Sequence, residues 1–406
     1  MKTNRRTFLA GVSSAAALSA SGTAFAQKKY SEGASDTEIK IGNTNPYSGP
    51  ASAYGVIGKT IDAYWKSVNA AGGINGRKVT FITLDDGYNP AKTVELVRQL
   101  VEQDKVLCTF NTLGTPCNTA IHKYMNQKKV PMLFVATGAS KWGNPKEFPW
   151  TMGFQPDYHT EAVIYAKHIL ANVKDAKIGV LMQNDDYGKD YYEGMREGLG
   201  KEVGRIVKHV TYEGTDPTVD SQVIQLKDSG ANVFFNISTP KFAAQAMRKA
   251  GDIGWKPAQY LNNVSSSVAS VMKPAGFDNV QGVLTAAYLM DPTDHQWDDN
   301  AEMKAWKEWM GKHNAGASLS DASNVFAYSV STLMHETLKK CGDDLTRENL
   351  MKQAANFQKF PLKMALPGIT VSTSPTDYYP VQAVQLQRFK GDTWDLFGDV
   401  MHAEST

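Results

Sequence analysis

The chain has few cysteines, little net charge and, past its first residues, no long apolar run. Its three cysteines are Cys108, Cys117 and Cys341, and an odd count excludes a disulfide-built scaffold. Cys108 and Cys117 stand close enough for an oxidising compartment to link them; a buried free thiol is the alternative for each. No CxxC or Cys/His cluster occurs and the eight histidines are scattered, so no metal site is expected. Lys and Arg total 43 against 41 Asp and Glu, intermixed, for a net charge of +2. That balance argues against nucleic acid, which needs a concentrated basic surface.

Catalytic patterns are missing as well. There is no GxSxG elbow, no HExxH pair and no phosphate-binding GxxxxGK[ST] loop. The run from Gly198 to Gly204 has one residue too many for a dinucleotide fingerprint. It also closes a helix where the fingerprint would open one, so it reads as a helix stop. Asp85-Asp86 and Asp185-Asp186 each follow a strand, and their plainest role is to cap turns or helices. A secreted α/β enzyme stays an alternative with no residues to build it from, and no cofactor is expected.

What is present begins with an export signal. Lys2, Arg5 and Arg6 precede an apolar, small-residue stretch over 8–24, and Ala24-Phe25-Ala26 offers a cleavage site before Gln27. The run Asn4-Arg5-Arg6-Thr7-Phe8-Leu9 has the twin-arginine arrangement, a receptor-read address. A soluble, extracytoplasmic protein of about 380 residues is expected, enough for two lobes.

Beyond the leader, β-rich runs alternate with amphipathic ones, the pattern of parallel α/β architecture. Strands are expected over 39–42, 79–84, 106–110, 131–136, 177–182, 206–212, 233–237, 259–261 and 283–288. Helices are expected over 55–70, 90–103, 120–127, 160–173, 187–199, 221–227, 242–250, 301–313, 324–340 and 347–358. Residues 381–397 read as an antiparallel hairpin. Ligands of such sheets sit at the carboxyl ends of strands, which directs attention to the loops after residues 42, 111, 136, 182, 237 and 261.

Four runs then carry a resemblance. They are Pro46-Tyr47-Ser48-Gly49-Pro50-Ala51-Ser52-Ala53-Tyr54-Gly55, Ala71-Gly72-Gly73-Ile74-Asn75-Gly76-Arg77, Asp85-Asp86 and Asp185-Asp186-Tyr187-Gly188. Together they resemble the type I periplasmic binding proteins, and within them the leucine/isoleucine/valine-binding group that feeds branched-chain amino acid ABC importers. The resemblance implies two doubly wound, Rossmann-like lobes joined by a three-strand hinge. The lobes would comprise 28–154 with about 290–368, and 155–289 with about 369–406. It implies a monomeric, periplasmic protein that captures a small carboxylate for the permease subunits of an ABC importer. A ligand-sensing receptor subunit of the same fold is the other reading.

The resemblance also assigns residues. The ligand carboxylate would be held by loops 111–115 and 136–140, which places Gly114, Thr115, Thr137, Gly138 and Ala139 at its seat. A helix starting near Thr115 supports this, because its first N–H groups are unpaired and face a positive dipole end. Capping of its own helix is the alternative role for Thr115. Tyr54 would cover the side-chain pocket and Tyr187 would close on the ligand from the second lobe. Trp142 and Phe154 are candidates for apolar walls beside it.

Three places depart from the group. Leu113-Gly114-Thr115-Pro116 replaces a serine run in the first carboxylate loop, Ser238 replaces a second-lobe tyrosine, and loop 261–266 lacks the acid that pairs with an α-ammonium, Val264 or Ser265 being the nearest match. A buried ammonium without a counter-charge is costly, so an aromatic acid is favoured over a branched-chain amino acid.

Overall fold

The computed structural model describes residues 28–402; the leader read over 1–26 lies outside them. Strand Glu38–Asn45 is buried along most of its length and pairs in parallel with Lys78–Asp85 on one side and Cys108–Phe110 on the other. Met132–Leu133 extends the sheet beyond Cys108–Phe110. The chain thus starts inside this sheet, steps to one edge, then crosses to the other side. The reversal falls between Glu38–Asn45 and Cys108–Phe110, whose carboxyl ends open a crevice into which the next loops run.

The second sheet repeats the device. Its order is Thr393–His402, Ala383–Lys390, Leu284–Ala287, Ala258–Leu261, Val233–Ile237, Ile178–Gln183, Ile206–Tyr212. The last five are parallel, and the first two form an antiparallel hairpin on the edge. Here the reversal lies between Ile178–Gln183 and Val233–Ile237, so the loops starting at 184 and 238 flank the second crevice.

Helix starts follow local chemistry. Asn89 accepts the amides of Ala91 and Lys92 at the head of Pro90–Glu102. Asp157 does the same for Tyr158–Asn172, and Asp185 for Asp186–Leu199. Asp86 binds the Tyr88 amide and the Thr93 hydroxyl. These acids are therefore structural caps.

The chain returns to the first sheet late. Helix Ala322–Cys341 lies along helix Gly55–Ala70, with Thr60 Oγ1 donating to Asn324 Oδ1 at 2.7 Å. Lys29–Tyr30 pairs in parallel with Asp344–Leu345. The buried Arg77 guanidinium binds Asp343 Oδ1 at 2.6 Å and the Ser35 carbonyl at 3.0 Å.

Several expectations need adjusting. The strand expected over 131–136 is only Met132–Leu133, because Phe134 takes a positive φ of 53° and turns the chain out of the ladder. The helix expected over 347–358 ends at Ala354, whose carbonyl accepts the Thr373 hydroxyl at 2.7 Å. Cys108 and Cys117 are not linked: all three cysteines are buried free thiols. Among the described residues no helix is long and apolar enough to cross a membrane, and no cluster of His, Cys, Asp and Glu is placed to hold a metal.

Candidate functional site

The two crevices face each other across one cavity. It spans about 920 Å³ including its open mouth. Five tyrosines line it: Tyr54, Tyr88, Tyr158, Tyr187 and Tyr288. Leu113, Val264, Met290 and Phe326 add apolar surface, and no Lys, Arg or His is among the lining residues.

Helix Thr115–Lys128 points its N-terminus at this space. Gly114 precedes it at φ 98° and ψ 135°, and no side chain caps the helix. The amides of Thr115 and Cys117 are therefore available to an anion, Pro116 between them having none, and the helix dipole reinforces them. Thr115 does not cap: its hydroxyl is 2.6 Å from Thr137 Oγ1. Gly114 is required by its surroundings, since a Cβ there would stand 2.5 Å from the Tyr88 ring.

Tyr187 sits in the first turn of Asp186–Leu199, its amide held by the Asp185 carboxylate at 3.0 Å. Its ring meets Tyr158 and Tyr191 edge-on, with centroids 5.4 and 5.7 Å away. The side chain is 2% exposed, yet its hydroxyl has no hydrogen-bond partner. A buried hydroxyl left unpaired costs about 1–3 kcal/mol, so this one is poised for a ligand atom. Tyr54 reaches across from the first lobe and donates to the Val264 carbonyl at 3.0 Å.

Further contacts join the lobes beside the cavity. The Ser140 amide and hydroxyl bind the Asp190 carboxylate at 2.9 and 2.6 Å. Lys141 Nζ is 2.5 Å from Asp186 Oδ2, and Tyr379 donates to the Ser140 carbonyl at 2.5 Å. The lobes are closed on each other.

Of the nine residues singled out from the sequence, Tyr54, Gly114, Thr115, Tyr187 and Val264 line the cavity. Thr137, Gly138, Ala139 and Ser238 lie behind the wall. Thr137 Oγ1 receives the Ala139 amide and the Trp142 indole N–H, and the Gly138 carbonyl receives the Tyr158 amide. The Ser238 carbonyl accepts the Ser265 hydroxyl. Trp142 and Phe154 are buried and also stand off the cavity, Trp142 against His122 and Phe154 between Phe134, Tyr288 and Phe326.

Sequence reasoning missed Tyr88, Gln155, Tyr158, Tyr288, Asp291 and Phe326. Only Tyr158 left a signal, as the residue after an Asp cap beyond Pro156. In loop 261–266 Asn263 holds the wall in place. Its amide donates to Glu161 Oε1 at 2.8 Å, while the Tyr165 and Tyr191 hydroxyls also donate to that carboxylate. Burial nevertheless dominates and pushes the Glu161 carboxyl up to about 7.

The family described as periplasmic binding protein matches residues 38–393. The chain belongs to that family. Its fold is the type I arrangement. A Leu/Ile/Val-binding protein homolog 1 from Brucella suis biovar 1 (strain 1330) is 26% identical over 369 residues, covering 87% of this chain and 90% of that one. A branched chain amino acid ABC transporter structure from Thermus thermophilus, with bound valine, has a TM-score of 0.81 at 16% identity, over 90% of this chain and 97% of that one. A solute binding protein of an ABC transporter from Rhodopseudomonas palustris BisB5, in complex with 3,4-dihydroxy benzoic acid, gives 0.75 at 18%, over 90% and 98%. At such identities the two structures speak for the fold alone.

Proposed function

We propose that this periplasmic binding protein captures a small carboxylate that lacks an α-ammonium, an aromatic acid, and delivers it to the permease subunits of an ABC importer. The observation that carries this is the uncapped N-terminus of Thr115–Lys128, opening on an aromatic-walled cavity whose 261–266 loop holds no acid. Amides and hydroxyls can seat an anion there without a cation, while an α-ammonium beside it would lack a partner in that loop. Tyrosine and phenylalanine walls suit a ring. The Brucella homologue and the valine complex favour an amino acid, and the dihydroxybenzoic acid complex favours an aromatic one. The composition of the 261–266 loop supports the aromatic reading.

The protein would work in the periplasm as a monomer, closing about crossings near residues 155, 290 and 369. Ligand shifts that balance only by binding the closed state better. Calorimetric titration of refolded protein, stripped of carried-over ligand, tests the reading. Benzoate-type acids are expected to bind and leucine, isoleucine and valine not to; tight leucine binding would overturn it.

Tyr187→Phe tests the seat. The ligand-free variant should melt no lower than wild type, since it loses an unpaired buried hydroxyl. Affinity for the acid should fall about tenfold or more, the worth of one hydrogen bond to a charged group. An unchanged dissociation constant would take Tyr187 out of the seat.

A further inference from the structure

The cavity has a second polar point, on a segment far in sequence from the carboxylate seat. Asp291 lines the cavity and is only 6% exposed. Its Oδ1 accepts both the amide and the hydroxyl of Thr293, at 2.9 and 2.6 Å. Those bonds fix the side chain and leave Oδ2 for an incoming donor. Met290, Ala322 and Ser323 bring apolar and small surface alongside it. The hydrogen bonds of Asp291 share no member with those of Thr115, which run to Thr137 and on to Ala139 and Trp142. Among the described lining residues Asp291 is the acidic one, and its hydrogen bonds are independent of those at the Thr115 seat.

We infer that Asp291 reads a hydrogen-bond donor carried by the ligand at a distance from its carboxylate, which makes the favoured ligand a hydroxy-substituted aromatic acid. This rests on the carboxylate-seat reading above. Burial, with Asp294 and Asp321 nearby, pushes the Asp291 carboxyl up to about 6. At neutral pH it is still mostly an acceptor, and an acceptor buried without a donor is unfavourable. A phenolic hydroxyl supplies the donor at less desolvation cost than a second ammonium would.

The test is a calorimetric series on the mature protein with benzoate, 3- and 4-hydroxybenzoate, 4-methoxybenzoate and leucine. Wild type should bind one hydroxybenzoate about tenfold or more tighter than benzoate or the methoxy acid, which lacks the donor. Asp291→Asn should bring that ratio to about one, with a thermal melt reporting its folding. The wild-type series stands even if that variant fails to fold. Equal wild-type affinities for benzoate and both hydroxybenzoates would overturn the role of Asp291 and leave the seat intact. Binding of none of the acids would overturn the seat and this inference together. Leucine binding lost in Asp291→Asn would assign the carboxylate to an α-ammonium and overturn both.

Discussion

Gly114→Ala is expected to abolish measurable ligand binding, a loss of about a hundredfold or more, while the protein still folds. Two costs add at this position. The backbone at φ 98° and ψ 135° is glycine territory, worth about 1–3 kcal/mol to any other residue. The new methyl group would also meet the Tyr88 ring at 2.5 Å, a separation real Cβ atoms do not tolerate. Relief requires either Tyr88 to move into the cavity it lines or the 113–115 loop to shift and take the first helical amides with it. Both routes damage the carboxylate seat. Displacements of about 1 Å at such a site are costly. Gly76→Ala is the control: it shares a positive φ of 79°, but a Cβ there meets nothing within 4 Å. It should lower the melting temperature through backbone strain alone and leave affinity untouched. Gly114→Ala with affinity within about twofold of wild type would remove the Thr115 helix terminus from the site.

Glu161→Gln is expected to stabilise the protein at pH 8 and to flatten its pH profile. The carboxyl is fully buried, and its folded value of about 7 lies above the ordinary 4.5. A raised acid means that the folded state binds the proton more tightly than the unfolded chain. The penalty is therefore complete above about pH 7, shrinks as pH falls, and is gone below 4.5. At about 1.4 kcal/mol per unit, the contribution is on the order of 1–3 kcal/mol. Glutamine keeps an oxygen for the Asn263 amide and the Tyr165 hydroxyl, and its NH₂ can donate to Tyr191. Urea melts between pH 5 and pH 8 measure the difference. If the variant is the less stable at pH 8, the three donors outweigh burial and the folded carboxyl lies at or below its ordinary range.

Much of the architecture was legible in the sequence, for reasons visible in particular elements. Helix Gly55–Ala70 buries Ile57, Ile61, Trp65 and Val68, a spacing that only a helix places on one face. The hairpin Ala383–Lys390 and Thr393–His402 declared itself by alternation. Apolar period marked helix Thr115–Lys128 only from residue 120, because its first turn is buried at the site; its start near Thr115 was read with the resemblance instead. The strand over 131–136 failed at Phe134, where a left-handed residue follows a short edge pairing.

The site divided along similar lines. Gly114 and Thr115 in the first lobe and Tyr187 in the second each sit just past a strand end, where topology alone points to them. Tyr288, Asp291 and Phe326 come from a crossing and a returning helix. Their meeting with the first lobe depends on contacts between distant segments, which no local pattern records.

The late return of the chain to its first sheet sets an order of events during synthesis. Tyr30 waits for Leu345, and Thr60 for Asn324, so the outer half of the first lobe has no partner until about 300 residues more have been made. At roughly 5–20 residues per second that interval is tens of seconds. The five parallel strands between Ile178 and Ala287 pair with one another within one contiguous stretch, and the edge hairpin Ala383–Lys390 and Thr393–His402 joins them later. The lobe that begins second is thus positioned to be the first to mature. Through the interval helix Gly55–Ala70 keeps its Tyr64 face uncovered, an apolar surface for a holding chaperone to shield.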